Sequence, residues 1–78
     1  MQFKNYDPKL FKIKRNVLEL TMAELATSAL TTRQTIGNIE RGRVKNGPSV
    51  TLIGLALDGY AQEKGEQYVK LFKQLESK

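Results

Sequence analysis

Several polar side chains near the middle of the chain can form the paired hydrogen bonds that distinguish one DNA base from another. Arg33 and Gln34 begin a predicted helix whose apolar side is limited to Ile36 and Ile39. Arginine can donate two hydrogen bonds to guanine, and glutamine can exchange two with adenine. Two isoleucines cover only a narrow stripe, so the other side chains of this helix face outward. The candidate base contacts are Arg33, Gln34, Thr35 and Asn38.

Side chains that suit phosphate groups flank this helix along the chain. Arginine, lysine, hydroxyl and amide groups bind phosphate oxygens and position a protein on DNA without selecting a sequence. The alternative is that these groups, like the polar face of the helix itself, contact only water. The candidate phosphate contacts are Thr21, Thr32, Arg41, Arg43, Lys45 and Asn46.

The net charge of +5 is concentrated in the same part of the chain. Residues 1–48 hold nine Lys or Arg and four acids, whereas residues 49–78 hold four of each. This segregation indicates a surface that binds a polyanion. A basic surface kept only for solubility is the alternative, but it does not require the charge to be segregated.

Helical periodicity dominates the chain and no segment alternates as a strand does, so the predicted fold class is all-α. Thr21 and Glu24 form a capping box at the start of the second helix. Ser49 is the predicted cap of the fourth helix, and the Asp-Gly pair at residues 58–59 is predicted to end it. The predicted helices span about residues 8–17, 22–29, 33–41, 49–58 and 66–76.

Two further expectations concern which side chains face solvent. In the first helix the apolar stripe is predicted to comprise Leu10, Ile13 and Val17, which leaves Lys9, Lys12 and Lys14 outward. Gly37 is predicted to lie on the exposed side of the third helix, either as a tolerated surface glycine or because the backbone approaches DNA there. In the N-terminal arm, Phe3 and Tyr6 favour folding back onto the core over reaching along DNA.

The order of these motifs resembles the Cro/phage-repressor (XRE-type) helix-turn-helix family over residues 8–60. Residues 20–26 match the Leu-Thr-x-x-Glu-Leu-Ala run that opens the second helix of the family. Residues 36–42 match the Ile-x-x-Ile-Glu-x-Gly run that closes the third. Met22 and Leu30 depart from the pattern, which usually has glutamine and glycine there. The resemblance implies a five-helix lambda-repressor-like domain with a helix-turn-helix at about residues 21–42 and its third helix in the major groove.

The resemblance also implies a role for Arg15 and Glu40. Their positions match a family pair in which an arginine on helix 1 bridges a glutamate at the end of helix 3. Arg15 would neutralise a carboxylate that otherwise repels phosphate, and it would tie the two helices together. We therefore expect Arg15 and Glu40 to be a structural pair.

Composition argues against several classes of protein. Seventy-eight residues suit a single domain, spanning residues 1–78. The absence of cysteine and histidine removes thiolate ligands, the commonest metal ligand and the commonest general base. No paired acidic motif or phosphate-binding glycine loop supports an enzyme, and we expect no cofactor or metal. No apolar run approaches the length of a membrane span, so we expect a cytoplasmic protein.

These observations predict a sequence-specific DNA-binding transcriptional regulator, a Cro-like or short repressor of phage, plasmid or bacterial origin. One helix contacts few bases, so a homodimer on a pseudo-palindromic operator in double-stranded DNA is expected. The final helix is the predicted dimer interface, with packing onto the first helix of its own chain as the alternative. The interface residues are Tyr68, Val69, Leu71, Phe72 and Leu75. The alternative function is that of an antitoxin or anti-repressor. Such a protein would use the same fold to bind a partner protein, and its neutral C-terminal third would be the binding surface.

Overall fold

Helices account for the regular structure of residues 6–77, which are the residues that the computed structural model describes. Phe3 and Lys4 of the N-terminal arm lie outside them. Within this range there are five α-helices and no strand, as the all-α prediction requires. A 3-10 turn, Pro8–Leu10, leads into the first helix. The helices are α1 (Phe11–Val17), α2 (Met22–Ser28), α3 (Arg33–Glu40), α4 (Pro48–Lys64) and α5 (Glu66–Glu76).

Side-chain caps begin α2 and α3, and the cap of α2 is the predicted capping box. Thr21 Oγ1 accepts a hydrogen bond from the Glu24 N–H at 3.1 Å, and Glu24 Oε1 accepts one from the Thr21 N–H at 3.0 Å. Thr32 Oγ1 accepts from the Thr35 N–H at 3.1 Å. These bonds satisfy N–H groups that have no partner inside the helix, so they fix where each helix begins.

One backbone arrangement, the Schellman motif, ends each of the first three helices. The residue in the left-handed conformation is Glu19 after α1 (φ 58°), Leu30 after α2 (φ 57°) and Gly42 after α3 (φ 81°). Only the third is glycine, the residue that adopts this conformation without steric cost. Leu30 and Glu19 adopt it although each carries a side chain. The N–H after each turn donates to a carbonyl five residues earlier: Leu20 to Arg15, Thr31 to Ala26 and Arg43 to Asn38.

The prediction for α4 is wrong at both ends. Gly47 is the N-cap, with Pro48 in the first turn, and Ser49 lies inside the helix. The helix also continues past Gly59 to Lys64, because Leu57 and Ala61 on its inner side are buried in the core. Gly65, at φ 133°, is the single residue that separates α4 from α5.

The core lies around α4, which contacts each of the other four helices. None of the helices between residues 6 and 77 has the length and hydropathy that crossing a membrane requires. The buried apolar residues come from all five helices and the turns between them: Phe11, Leu18, Leu25, Ala26, Ala29, Ile36, Ile39, Val50, Ile53, Leu57, Ala61 and Phe72.

The predicted inner face of α1 is rotated from the observed one. Lys14 is 1% exposed, whereas Ile13 is 46% exposed. Lys14 Nζ donates to Glu76 Oε2 at 2.6 Å and lies 5.1 Å from the centre of the Phe72 ring. A carboxylate and an aromatic ring replace the water that this ammonium group loses, so its burial is compensated.

The apolar face of α5 packs against the core of its own chain. Phe72 is 3% exposed, which fits the alternative that this helix packs within its own chain. Tyr68, Val69 and Leu75 are partly buried and pack against the same core. Leu71, the remaining predicted interface residue, is also partly buried.

Tyr6 packs on α4, as predicted for an N-terminal arm that folds back onto the core. Its ring lies directly over Gly54, where a Cβ atom would overlap it, and its hydroxyl donates to Asp58 Oδ2 at 2.9 Å. Burial raises the pKa of Tyr6 to about 12, and the hydrogen bond to Asp58 adds to the effect.

Candidate nucleic-acid interface

The pairing of α2 with α3 sets the orientation of the candidate reading helix. Leu25 and Ala26 on α2 and Ile36 and Ile39 on α3 are all buried, and the two helices are in contact. The four residues between the helices, 29–32, contain the Leu30 turn and the cap of α3. The inner side of α3 is thus fixed by packing, and its outer side faces solvent.

Arg33 and Gln34, at the start of α3, are exposed. Within residues 6–77 neither side chain forms a hydrogen bond or an ion pair. Their donors and acceptors are therefore available to a ligand. Gln34 lies on the face of α3 opposite Ile36 and Ile39. Asn38 and Arg41, one and two turns further along the chain, lie on the same face.

Asn38 and Arg41 extend that outer face but are already bonded to each other. Arg41 Nη2 donates to Asn38 Oδ1 at 3.1 Å, which leaves the amide of Asn38 to act mainly as a donor. The same guanidinium covers Gly37, because a Cβ atom there would lie 3.2 Å from Arg41 Nη1. Gly37 is buried, so the prediction that it is exposed is wrong. The missing side chain makes room for Arg41 instead.

Thr35 and Thr32 are coupled through their hydroxyl groups, which are 2.9 Å apart. Thr32 also caps α3, so its oxygen has two partners within the chain. Thr35 is half-buried. Either hydroxyl can be the donor in this contact. When Thr35 donates, the Thr32 hydroxyl hydrogen is free to bond a phosphate oxygen.

The loop that follows α3 carries exposed groups with no competing contacts. Arg43, Lys45 and Asn46 are exposed, and their side chains form no hydrogen bond or ion pair with the described part of the chain. The bond from the Arg43 N–H to the Asn38 carbonyl, at 2.9 Å, holds the start of this loop against the end of α3. The three side chains are thus available to phosphate next to α3.

Thr21 is the weakest of the phosphate candidates. Its hydroxyl oxygen caps α2, and the capping box holds Glu24 against it. Hydrogen bonds from Thr21, first from its backbone N–H, lower the pKa of Glu24. A carboxylate that stays ionised beside Thr21 repels a phosphate group there.

Arg15 and Glu40 form the ion pair that the resemblance implies. Arg15 Nε and Nη2 donate to the two carboxylate oxygens at 2.8 and 3.1 Å, and Nη1 donates to the Leu20 carbonyl at 2.9 Å. The two side chains are 11% and 4% exposed. The hydrogen bond to Glu40 raises the pKa of Arg15. The pair joins α1 to the end of α3 and neutralises the Glu40 carboxylate, which lines the same groove as Lys45.

Lys9 is a basic residue that the sequence did not single out for DNA contact. It lines a groove of about 280 Å³ together with Lys45, between the start of the first helical segment and the loop after α3. Residues far apart in sequence meet here, so spacing alone gave no signal. The lining residues are Asp7, Pro8, Lys9, Ile39, Glu40, Gly42, Val44 and Lys45.

Comparison with known proteins adds no family assignment. The chain matches no protein-family model and no curated protein. Among residues 6–77, no cluster of three or more acidic, cysteine or histidine side chains could hold a metal ion. The functional argument therefore depends on the residues of α3 and the basic groups around it.

Proposed function

We propose that the protein is a sequence-specific DNA-binding regulator of transcription. In this proposal α2 and α3 form a lambda-repressor-like helix-turn-helix, α3 enters the major groove, and the chain acts as a Cro-like or short repressor. The observation that carries the proposal is the asymmetry of α3. Its inner side is locked into the core by Ile36 and Ile39, while Arg33 and Gln34 are exposed without partners in the described chain.

The contacts divide into those that select a sequence and those that position the protein. Arg33 and Gln34 have the geometry for bidentate contacts with guanine and adenine, and the Asn38 amide can donate to an acceptor on a base. Arg43 and Lys45 bind phosphates and contribute affinity on any DNA. Arg41 supports Asn38 and contacts the backbone from the end of α3.

Charge compensation supports the same surface. Glu40 is the one acid of α3, and Arg15 holds both of its oxygens. Lys9, Lys45 and one further acid, Asp7, line the groove beside it. The two lysines outnumber the one acid that has no arginine partner, so a phosphate approaching this end of α3 meets a net positive charge, which favours rapid association at low salt.

Selection from a pool of random double-stranded oligonucleotides tests the proposal. Enrichment of one motif, with an affinity that falls steeply as salt rises, is the expected result. An inverted repeat would indicate two copies bound to two half-sites. A pool that stays random, with binding insensitive to salt, contradicts the proposal and points to a protein-binding function such as that of an antitoxin or anti-repressor.

A further inference from the structure

Two amide side chains on the outer face of α3 differ in what they can offer to a base. Arg41 Nη2 donates to Asn38 Oδ1 at 3.1 Å, so the oxygen of this amide already has a partner within the chain. Gln34, one turn earlier, is exposed, and its side chain forms no hydrogen bond within residues 6–77. Gln34 therefore presents a donor and an acceptor, whereas Asn38 presents mainly its donors.

Three features keep the Arg41 guanidinium beside Asn38. Gly37 supplies the space, because a Cβ atom there would lie 3.2 and 3.3 Å from the two terminal guanidinium nitrogens. Arg41 is the C-cap of α3, where the negative end of the helix dipole attracts a cation. Glu40, the adjacent acid, is bound by Arg15 through both oxygens and does not compete for Arg41.

The bond from Arg41 changes which base Asn38 suits. A free asparagine amide pairs with adenine by accepting from N6 and donating to N7. Asn38 Oδ1 has a second lone pair, but an adenine amino group that approaches it also meets the positive charge of Arg41. Nδ2 keeps both of its hydrogens, and guanine presents two acceptors, O6 and N7, in the major groove. Guanine therefore fits this amide better than adenine does.

We infer that Asn38 reads guanine, with Arg41 as the positioning residue that sets this preference. The inference rests on the proposed DNA-binding function and adds the identity of one base to it. Gln34 keeps its acceptor and reads adenine, so one helix face distinguishes the two purines with two similar amides. Arg41 acts through Asn38, and its other N–H groups are still available to a phosphate.

Selection from random double-stranded oligonucleotides, followed by competition between duplexes that differ at one position, tests the inference. Asn38→Ala should remove the preference at one position of the wild-type motif, and the base preferred there by wild type should be guanine. Arg41→Ala should shift the preference at that position from guanine to adenine, changing the ratio of the two affinities by about fivefold or more. The adenine read by Gln34 should stay unchanged. If Arg41 only contacted phosphate, its loss would weaken binding to both duplexes equally.

Arg43→Ala is the matched control, because it removes another exposed arginine next to the end of α3. It should weaken binding to all sequences and keep the motif. Circular dichroism should show every variant as helical as wild type, since none of the three side chains belongs to the apolar core.

The outcomes separate the inference from the function on which it rests. A wild type that selects no motif contradicts the DNA-binding function, and the inference with it. A clear wild-type motif overturns the inference alone if Asn38→Ala leaves it unchanged, if Asn38 reads a base other than guanine, or if the guanine preference persists in Arg41→Ala.

Discussion

Arg15→Ala is expected to destabilise the fold strongly. The substitution removes three hydrogen bonds, two to Glu40 and one to the Leu20 carbonyl. It leaves the Glu40 carboxylate, whose side chain is 4% exposed, without its cation. An unpaired charge at such a site costs more than the pair contributes, because the carboxylate has given up its water and receives nothing in exchange.

The cost follows from the burial of the pair. Removing one partner of a buried ion pair costs about 3–5 kcal/mol, whereas an exposed pair contributes about 0–1 kcal/mol. Exposures of 11% and 4% place this pair in the first class. A domain of 78 residues has a total stability of about 4–12 kcal/mol, so the loss is a large part of it. At about 4–8 °C per kcal/mol, the melting temperature should fall by more than about 12 °C.

Thermal unfolding followed by circular dichroism measures the effect, with Lys12→Ala as the control because Lys12 is exposed on the same helix. The double variant Arg15→Ala/Glu40→Gln should recover part of the loss, since it removes the unpaired carboxylate. A melting temperature within about 2 °C of wild type for Arg15→Ala would refute the reasoning. Arg15 would then be a surface cation rather than a structural one.

Five other substitutions test three separate features. Gln34→Ala should cost about 1–3 kcal/mol on the selected site and little on random DNA, whereas Lys45→Ala should weaken both alike and flatten the salt slope by about one unit. Equal losses on both DNAs for Gln34→Ala would remove it from base recognition. Leu30→Gly should stabilise the fold by about 0.5–1 kcal/mol, because relief of left-handed strain exceeds the entropy cost of glycine, and Glu19→Gly should behave likewise. Unchanged melting temperatures would show that the turns are unstrained. Because burial raises the pKa of Tyr6 from 10.0 to about 12, the unfolded chain loses this proton first, so stability should fall as pH rises between these values. Chemical denaturation should show that the stability of Tyr6→Phe falls less than that of wild type over this pH range. An equal fall in both proteins would contradict the buried position of the phenol.

Local signals predicted where α2, α3 and α5 lie. Thr21 and Thr32 cap their helices through side-chain bonds over three residues, so the information is contained in the adjacent sequence. The fourth helix was predicted poorly for the opposite reason. An Asp-Gly pair at residues 58–59 is a local signal to end a helix, but the burial of Leu57 and Ala61 on either side of it outweighs that signal.

Some side-chain environments could not be predicted from the sequence. Lys14 was expected outside because lysine is rarely buried, and its partner Glu76 is 62 residues away. Gly37 was expected at the surface because nothing in its spacing indicates that Arg41 folds over it. Arg15 and Glu40 are 25 residues apart in the sequence. Their pairing was predicted from the family resemblance and not from periodicity.

The Lys14–Glu76 contact has a consequence for synthesis on the ribosome. The chain emerges from its N-terminus, so α1 is made long before the last turn of α5 that supplies the carboxylate. Until then Lys14 has no acid to accompany it into the core, and α1 is held back from its final packing. We therefore expect the nascent chain to reach its native state only after residue 76 has emerged, with α2 and α3 already paired through local contacts and α1 docking last.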